Sequence, residues 1–231
     1  MVNELTLDGL TLIEVRQLLY RNIVSLQVSQ DLFDDLSDDP SEQQVAAQCE
    51  MAVKQSIFTS SCPVIDRPFE DALFRQVIEY PFANPGASRF STGQWGVWYG
   101  CHELSTTIYE TGYHWVNGLL RDTQALDNGR QIERKVYTVD CNAALINLSN
   151  GLSTHPNVFD PRDYGTSQQF GKLIHDRGLP GVHCPSVRDQ QGMNAAIFTP
   201  SVLTDAKVCK FLRYEYRDGA VWCDGDPYDV M

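Results

Sequence analysis

Residues Arg89–Trp115 read RFSTGQWGVWYGCHELSTTIYETGYHW. These 27 residues hold one arginine, two glutamates, three tyrosines, three tryptophans and two histidines. The stretch divides in two. GVWYG is an apolar strand flanked by glycines, which let another group approach the backbone. STTIYETGYHW has the spacing of an amphipathic helix, on which Glu110 shares a face with Thr106, Tyr113 and His114. A strand turning into a helix, with an arginine just before it, can be a core that happens to carry charges. It can also be a site wrapped in its own packing.

Each residue alone has a plain reading. Arg89, after NPGAS, ends a loop and starts a strand, and its guanidinium fork suits a phosphate or a carboxylate. Tyr99 reads equally as a buried core tyrosine, and Glu110 as a solvent-facing side chain. A fourth element lies far along the chain, in GLPGVHCPSVRDQQGMNAAIFTP. There a strand GVHCP delivers Ser186 and Arg188 to a loop, and Asn194 opens the next buried strand. The GxSxG elbow of a serine hydrolase is absent, and no His and Asp are spaced as its partners. His114 and His183 read as structural. His183 and Cys184 are adjacent on a strand, so they face opposite sides and cannot share a metal.

Around this centre the chain reads as α+β. Leu12, Val15, Leu19, Ile23 and Leu26 recur at helical steps, predicting an amphipathic first helix. DLFDDLSDDPSEQQ breaks that pattern, and Ser41 caps a second helix with Glu42 in its first turn. SSCPVIDRP reads as a linker, FEDALFRQVI as a short helix and EYPFANPGAS as a loop. Residues 132–148 alternate as one or two strands. YGTSQQFGKLIHDRG is a helix closed by Gly178, and VCKFLRYEYRDG with AVWCD forms a hairpin about Asp218-Gly219. The division is a helical extension over 1–65 and a catalytic domain over 66–231.

The composition is that of a soluble globular chain of 231 residues, with 42% apolar and 21% charged side chains. The net charge of −12 is concentrated early. Residues 1–80 carry 14 acidic and 5 basic groups, a net of −9. Such a surface repels phosphate backbones and argues against direct nucleic-acid binding. Seven cysteines without a CxxC pair fit reduced thiols. With no signal peptide and no apolar run of 18 residues, a cytoplasmic, membrane-free protein is expected.

The four elements together resemble the RES domain family over roughly residues 67–205. The pattern is an arginine before an aromatic, a WYG tyrosine 10 residues later, a glutamate 11 residues after that in a threonine-bearing helix, and a distant PS ahead of an Asn and a strand ending in Pro. The family's Arg, Glu and Ser are then Arg89, Glu110 and Ser186. The resemblance implies an ADP-ribosyltransferase-like fold with a mixed or antiparallel β core. It also implies the toxin of a bacterial toxin–antitoxin pair, neutralised by a Xre-type helix-turn-helix antitoxin and consuming NAD+ as substrate without a metal.

Breaking the nicotinamide–ribose bond develops positive charge on the sugar, which a carboxylate stabilises, and Glu110 is the natural candidate. Arg89 suits the diphosphate, Tyr99 the nicotinamide ribose, and Ser186 a ribose hydroxyl or the amide. Arg188 and Asn194 stand where the family's loop after the serine lines the pocket. Glycohydrolase and phosphorylase action both fit, as do mono-ADP-ribosylation of a protein and a non-catalytic nucleotide-binding module. A homodimer is compatible with the helical extension.

Overall fold

The computed structural model describes residues 9–24, 69–121 and 126–229. The fold is α+β, with an eight-stranded sheet and helices on both of its faces. In chain order the elements are β1 (Leu12–Val24), α1 (Phe69–Ala83), β2 (Ala87–Ser88), β3 (Ser91–Thr92), β4 (Trp98–Cys101) and α2 (Leu104–His114), which runs on as a π-helical turn, Trp115–Leu120. Then come β5 (Arg130–Asn147), α3 (Gly151–Thr154), a 3-10 turn Pro156–Phe159, α4 (Gly165–Asp176), β6 (Gly181–Pro185), β7 (Met193–Ile197), β8 (Leu203–Arg217), β9 (Ala220–Cys223) and β10 (Asp226–Tyr228).

The expected first helix over Leu12–Leu26 is corrected: Leu12–Val24 is strand β1, paired antiparallel with β5 from Leu12↔Ile146 to Val24↔Arg134. Val15, Leu19 and Ile23 are four apart, a spacing that fits one face of a strand as well as one stripe of a helix. Leu12 and Leu18, which completed the helical pattern or interrupted the strand's, are 60% and 47% exposed. Ile13, Val15 and Ile23 are β-branched and favour the pleated surface. Residues 12–24 therefore belong to the central sheet, while the second expected helix and the linker lie outside the described residues.

The strand order is β1-β4-β7-β6-β5-β8-β9-β10, and β1 also pairs with β5, so five strands close into a circuit. β5–β6 is the one parallel pairing, and the rest are antiparallel. β1 meets β4 only at Tyr20↔Cys101. Arg21 spans the gap beyond that bridge, donating from Nη1 to the Tyr99 carbonyl at 2.7 Å.

On one face α1 covers Trp98, Val139, Leu145 and Ile197. This helix runs past the expected end of FEDALFRQVI and contains Pro81, which was read as loop. Proline has no N–H for the carbonyl four residues back. That carbonyl, Val77 O, instead accepts the Trp98 indole N–H at 2.9 Å. On the other face α4 buries Phe170 and Ile174 against Ile146, Val182 and Ala196. Full burial of each contributes about 2 kcal/mol. Asp163 Oδ1 accepts the Gly165 N–H at 2.8 Å at the start of α4, and Gly178 (φ 62°) ends it as expected. The hairpin at Asp218-Gly219 is present, with φ of 53° and 81° as a primed turn requires.

Candidate functional site

β4, β7 and β6 lie side by side, and their register sets Asn194 between Cys101 on one side and Cys184 on the other. Directly paired residues share a face, so these three side chains form a row across the sheet. α2 crosses this row and hangs Glu110 above it. Asn194 Nδ2 donates to Glu110 Oε1 at 2.8 Å, and Ser186 Oγ, immediately past β6, donates to the same oxygen at 2.7 Å. Oε2 is left without a close partner apart from His114 Nε2 at 4.0 Å. The Glu110 side chain keeps 25% of its surface exposed. It is half-buried rather than sealed in the core.

Ser186 is 1% exposed and also accepts the backbone N–H groups of Arg188 and Asp189, each at 3.0 Å. The loop after β6 is therefore wound around the serine hydroxyl. Asp189 Oδ2 accepts from the buried Thr106 hydroxyl at 2.7 Å, which ties the loop to the first turn of α2. Gly192 permits this approach, because a Cβ there would stand 2.5 Å from Thr106 Oγ1.

The site has two arginines at its rim. Arg89 is at the tip of the two-residue turn joining β2 to β3. It is not the start of a strand, as its sequence context suggested. Its Nη1 donates to Asp160 O at 2.8 Å and Val158 O at 3.3 Å, and its guanidinium lies 4.5 Å from the Tyr164 ring centroid. Arg188 stacks 3.3 Å over Tyr113 and donates from Nη2 to Pro161 O at 2.5 Å. Both guanidinium groups thus grip one segment, at adjacent carbonyls. Both also lower the His114 pKa, which burial draws below its usual value while Glu110 opposes. Arg89 and Glu110 act in opposite directions on the Cys184 thiol, which burial pushes up to about 12. The two arginines and the carboxylate therefore stand close enough to act on the same neighbouring group, His114.

Tyr99, expected beside the nicotinamide ribose, has its hydroxyl engaged by the turn that carries Arg89. Its hydroxyl accepts the Phe90 N–H at 3.0 Å and donates to Ser88 Oγ at 2.9 Å, so it is bound on both sides of Arg89. Burial raises its pKa well above the ordinary phenol value.

His183 is on the opposite face of β6 from Cys184, against His102 (Nδ1 to Nε2, 3.1 Å), with the Gln17 amide on His102 Nδ1. Among the described residues no three His, Cys, Asp or Glu groups gather as metal ligands, and no helix is long and apolar enough to cross a membrane. A cavity of about 600 Å³ is on the β8–β9 face near Arg213, Arg217 and Trp222, and shares no residue with the Glu110 cluster.

Sequence reasoning placed Tyr113 and Thr106 on the Glu110 face, but it did not find the Arg188–Tyr113 stack, the Thr106–Asp189 bond, Tyr164 or the Val158–Pro161 segment. For Tyr113 and Tyr164 the available signal was an aromatic within a turn of a candidate arginine or glutamate partner.

The RES domain family matches residues 64–217, two-thirds of the chain. The chain belongs to the RES domain family. Its structure is similar to a chain of the crystallised M. tuberculosis MbcT–MbcA toxin–antitoxin complex, with a TM-score of 0.50 and 12% identity, over 90% of this chain and 88% of that one. At that identity the likeness shows the fold. No curated protein matches the chain. The α+β fold with a mixed, mostly antiparallel sheet that the RES resemblance implied is the fold found.

Proposed function

We propose that this RES protein is the toxin of a toxin–antitoxin pair and that it consumes NAD+ by breaking the nicotinamide–ribose bond, with a Xre-type protein as its restraint. The observation that carries the chemistry is the pair of donors on one oxygen of Glu110. Ser186 and Asn194 hold Oε1 and leave Oε2 with only the more distant His114 Nε2 beside it.

As the glycosidic bond breaks, its electron pair goes to the nicotinamide ring nitrogen and the base leaves neutral. The positive charge is left on the ribose. A fixed carboxylate stabilises that charge in the transition state more than in the ground state, which is what lowers the barrier. Water or phosphate then adds at the anomeric carbon and releases a proton toward Oε2. Arg89 and Arg188 supply paired donors and positive charge for the diphosphate, exchanging their bonds to Asp160 and Pro161 for bonds to the ligand. Support for the toxin reading comes from RES membership and from the fold shared with a chain of a toxin–antitoxin complex.

The test is to incubate the purified protein with NAD+, with and without phosphate, and identify the products by mass spectrometry. Free ADP-ribose or its 1″-phosphate is expected. Intact NAD+ under both conditions overturns the reading, and a covalently modified protein replaces it with transfer to a protein.

A further inference from the structure

The turn that presents Arg89 is held from two sides by side-chain groups of β4 and α4. From β4, the Tyr99 hydroxyl bridges the Phe90 N–H and the Ser88 hydroxyl. From α4, the Gln168 side-chain amide donates to Ser88 O at 3.0 Å and Ser91 O at 3.2 Å. These carbonyls belong to the residues immediately before and after the Arg89-Phe90 tip. Beneath it the Trp95 indole donates to Phe90 O at 3.2 Å, and Ser91 Oγ donates to Trp95 O at 2.6 Å. Gly171, one turn along α4 from Gln168, has no room for a Cβ, which would stand 2.0 Å from Phe90 O.

α4 therefore meets the turn in backbone contact. Its N-terminal end offers two side chains four residues apart, hence on one face. The Tyr164 ring is under the guanidinium, and the Gln168 amide is on the backbone that carries it.

A two-residue surface turn is ordinarily a mobile element, and the arginine at this tip is half-buried. Here its polar backbone groups are bonded to side chains from two different elements, and neither side chain reaches Glu110. The bonds do not form the sheet, since β2 and β3 pair only with each other. What they fix is where the Arg89 guanidinium stands relative to the carboxylate.

We propose that Gln168 and Tyr99 are positioning residues for Arg89, which set the affinity of the site for the diphosphate of a dinucleotide while leaving bond cleavage to Glu110. This rests on the functional reading above. An arginine ordered before the ligand arrives loses less freedom on binding, so the clamp acts on KM. Displacing its turn weakens ground-state and transition-state binding alike and leaves kcat near its original value.

The experiment has two readouts on full-length wild type, Gln168→Met and Tyr99→Phe. Gln168→Met keeps length and packing while removing the amide, and Tyr99→Phe keeps the ring while removing the hydroxyl. The first readout needs no ligand: the ¹⁵N relaxation of the Arg89 side-chain Nε–H. The second is steady-state kinetics with NAD+. Both variants are expected to loosen Arg89 in the free protein and to raise KM about tenfold, with kcat within about twofold of wild type. Gln168→Glu, which cannot donate to carbonyls when ionised, should behave like Gln168→Met, and Gln168→His should restore part of the effect by donating one N–H.

An unchanged Arg89 signal in both variants overturns the clamp, whatever the activity. So does a fall in kcat at constant KM. If Arg89 loosens as expected while wild type leaves NAD+ intact, the clamp stands as a structural device and the NAD+ reading falls instead.

Discussion

Asn194 reaches Glu110 from the middle strand of three, and its amide shares the Oε1 acceptor with Ser186 at nearly equal distances of 2.8 and 2.7 Å. Two donors on one oxygen fix the plane of the carboxylate as well as its position. They also leave the unshared oxygen with no closer ion-pair partner, among the described residues, than His114 Nε2 at 4.0 Å. Asn194 Oδ1, on the other side of the same amide, is buried without a partner. An unsatisfied buried carbonyl is costly, so the orientation of that amide is maintained by what it gives Glu110.

Replacing Glu110 by Gln removes the charge and keeps the shape. The turnover of NAD+ is expected to fall about a thousandfold, the scale for loss of one preorganised electrostatic partner. The melting temperature should stay within a few degrees, because a quarter of the side chain is exposed and no basic residue stands closer than His114. Stopped assays by chromatography, alongside thermal melts, check both halves.

Asn194→Asp is a sharper probe. It sets a second carboxylate about 3 Å from the first, and two such groups cannot both ionise at neutral pH. One proton is shared, the glutamate spends much of its time neutral, and kcat at pH 7 should fall about a hundredfold. Since ionisation of the pair is completed only at higher pH, activity should climb with pH above 7 where wild type is flat. A pH–rate profile that drops uniformly without changing shape would count against a charge role for Glu110.

Trp98 offers a prediction about stability alone. Its indole N–H satisfies the Val77 carbonyl that Pro81 cannot. Trp98→Phe leaves that carbonyl unpaired in the core and opens a cavity, at a cost of about 3 kcal/mol in urea unfolding. Pro81→Ala restores a helical N–H for Val77 O. The double variant should therefore regain about 1 kcal/mol relative to Trp98→Phe alone, and strict additivity in the cycle would refute the exchange of donors.

The parts of the fold that were legible in the sequence are those where one signal dominates. Asp218-Gly219 dictates a primed turn, and Gly178 ends a helix whose apolar positions have no strand alternative. β1 was misread because Val15, Leu19 and Ile23 satisfy both periods. Only pairing with β5 along its whole length decides between them, and pairing is a property of two distant segments. In the candidate site, Glu110, Arg89 and Ser186 were proposed from a pattern spread over the chain, and the structure brings Ser186 onto Glu110. The contacts of Gln168 and Thr106 were not legible, because a glutamine or threonine on a helix has no local feature that reports what it touches about 80 residues away.

The His102–His183 pair, on the face of the sheet away from Glu110, makes the protein acid-sensitive. A 3.1 Å contact between two ring nitrogens needs one to donate and the other to accept, so the accepting ring at least is neutral and the two cannot both be protonated. Burial, with His183 adding, lowers the His102 pKa to about 4, and burial lowers that of His183 as well. In the unfolded chain each titrates near 6.5. Between about pH 6.5 and 4 the unfolded state binds more protons than the folded one, so stability rises with pH across this window and is lost as pH falls through it. With the exposed edge of His102 allowed for, the loss is about 2 kcal/mol. Carboxylates begin to protonate in the same range, so the comparison is between wild type and His102→Asn, which keeps a polar partner for Gln17 and removes the titration. Urea unfolding at pH 7 and pH 4.5 should show a smaller drop for the variant. Equal drops in the two proteins would mean that the imidazole pair does not carry the effect.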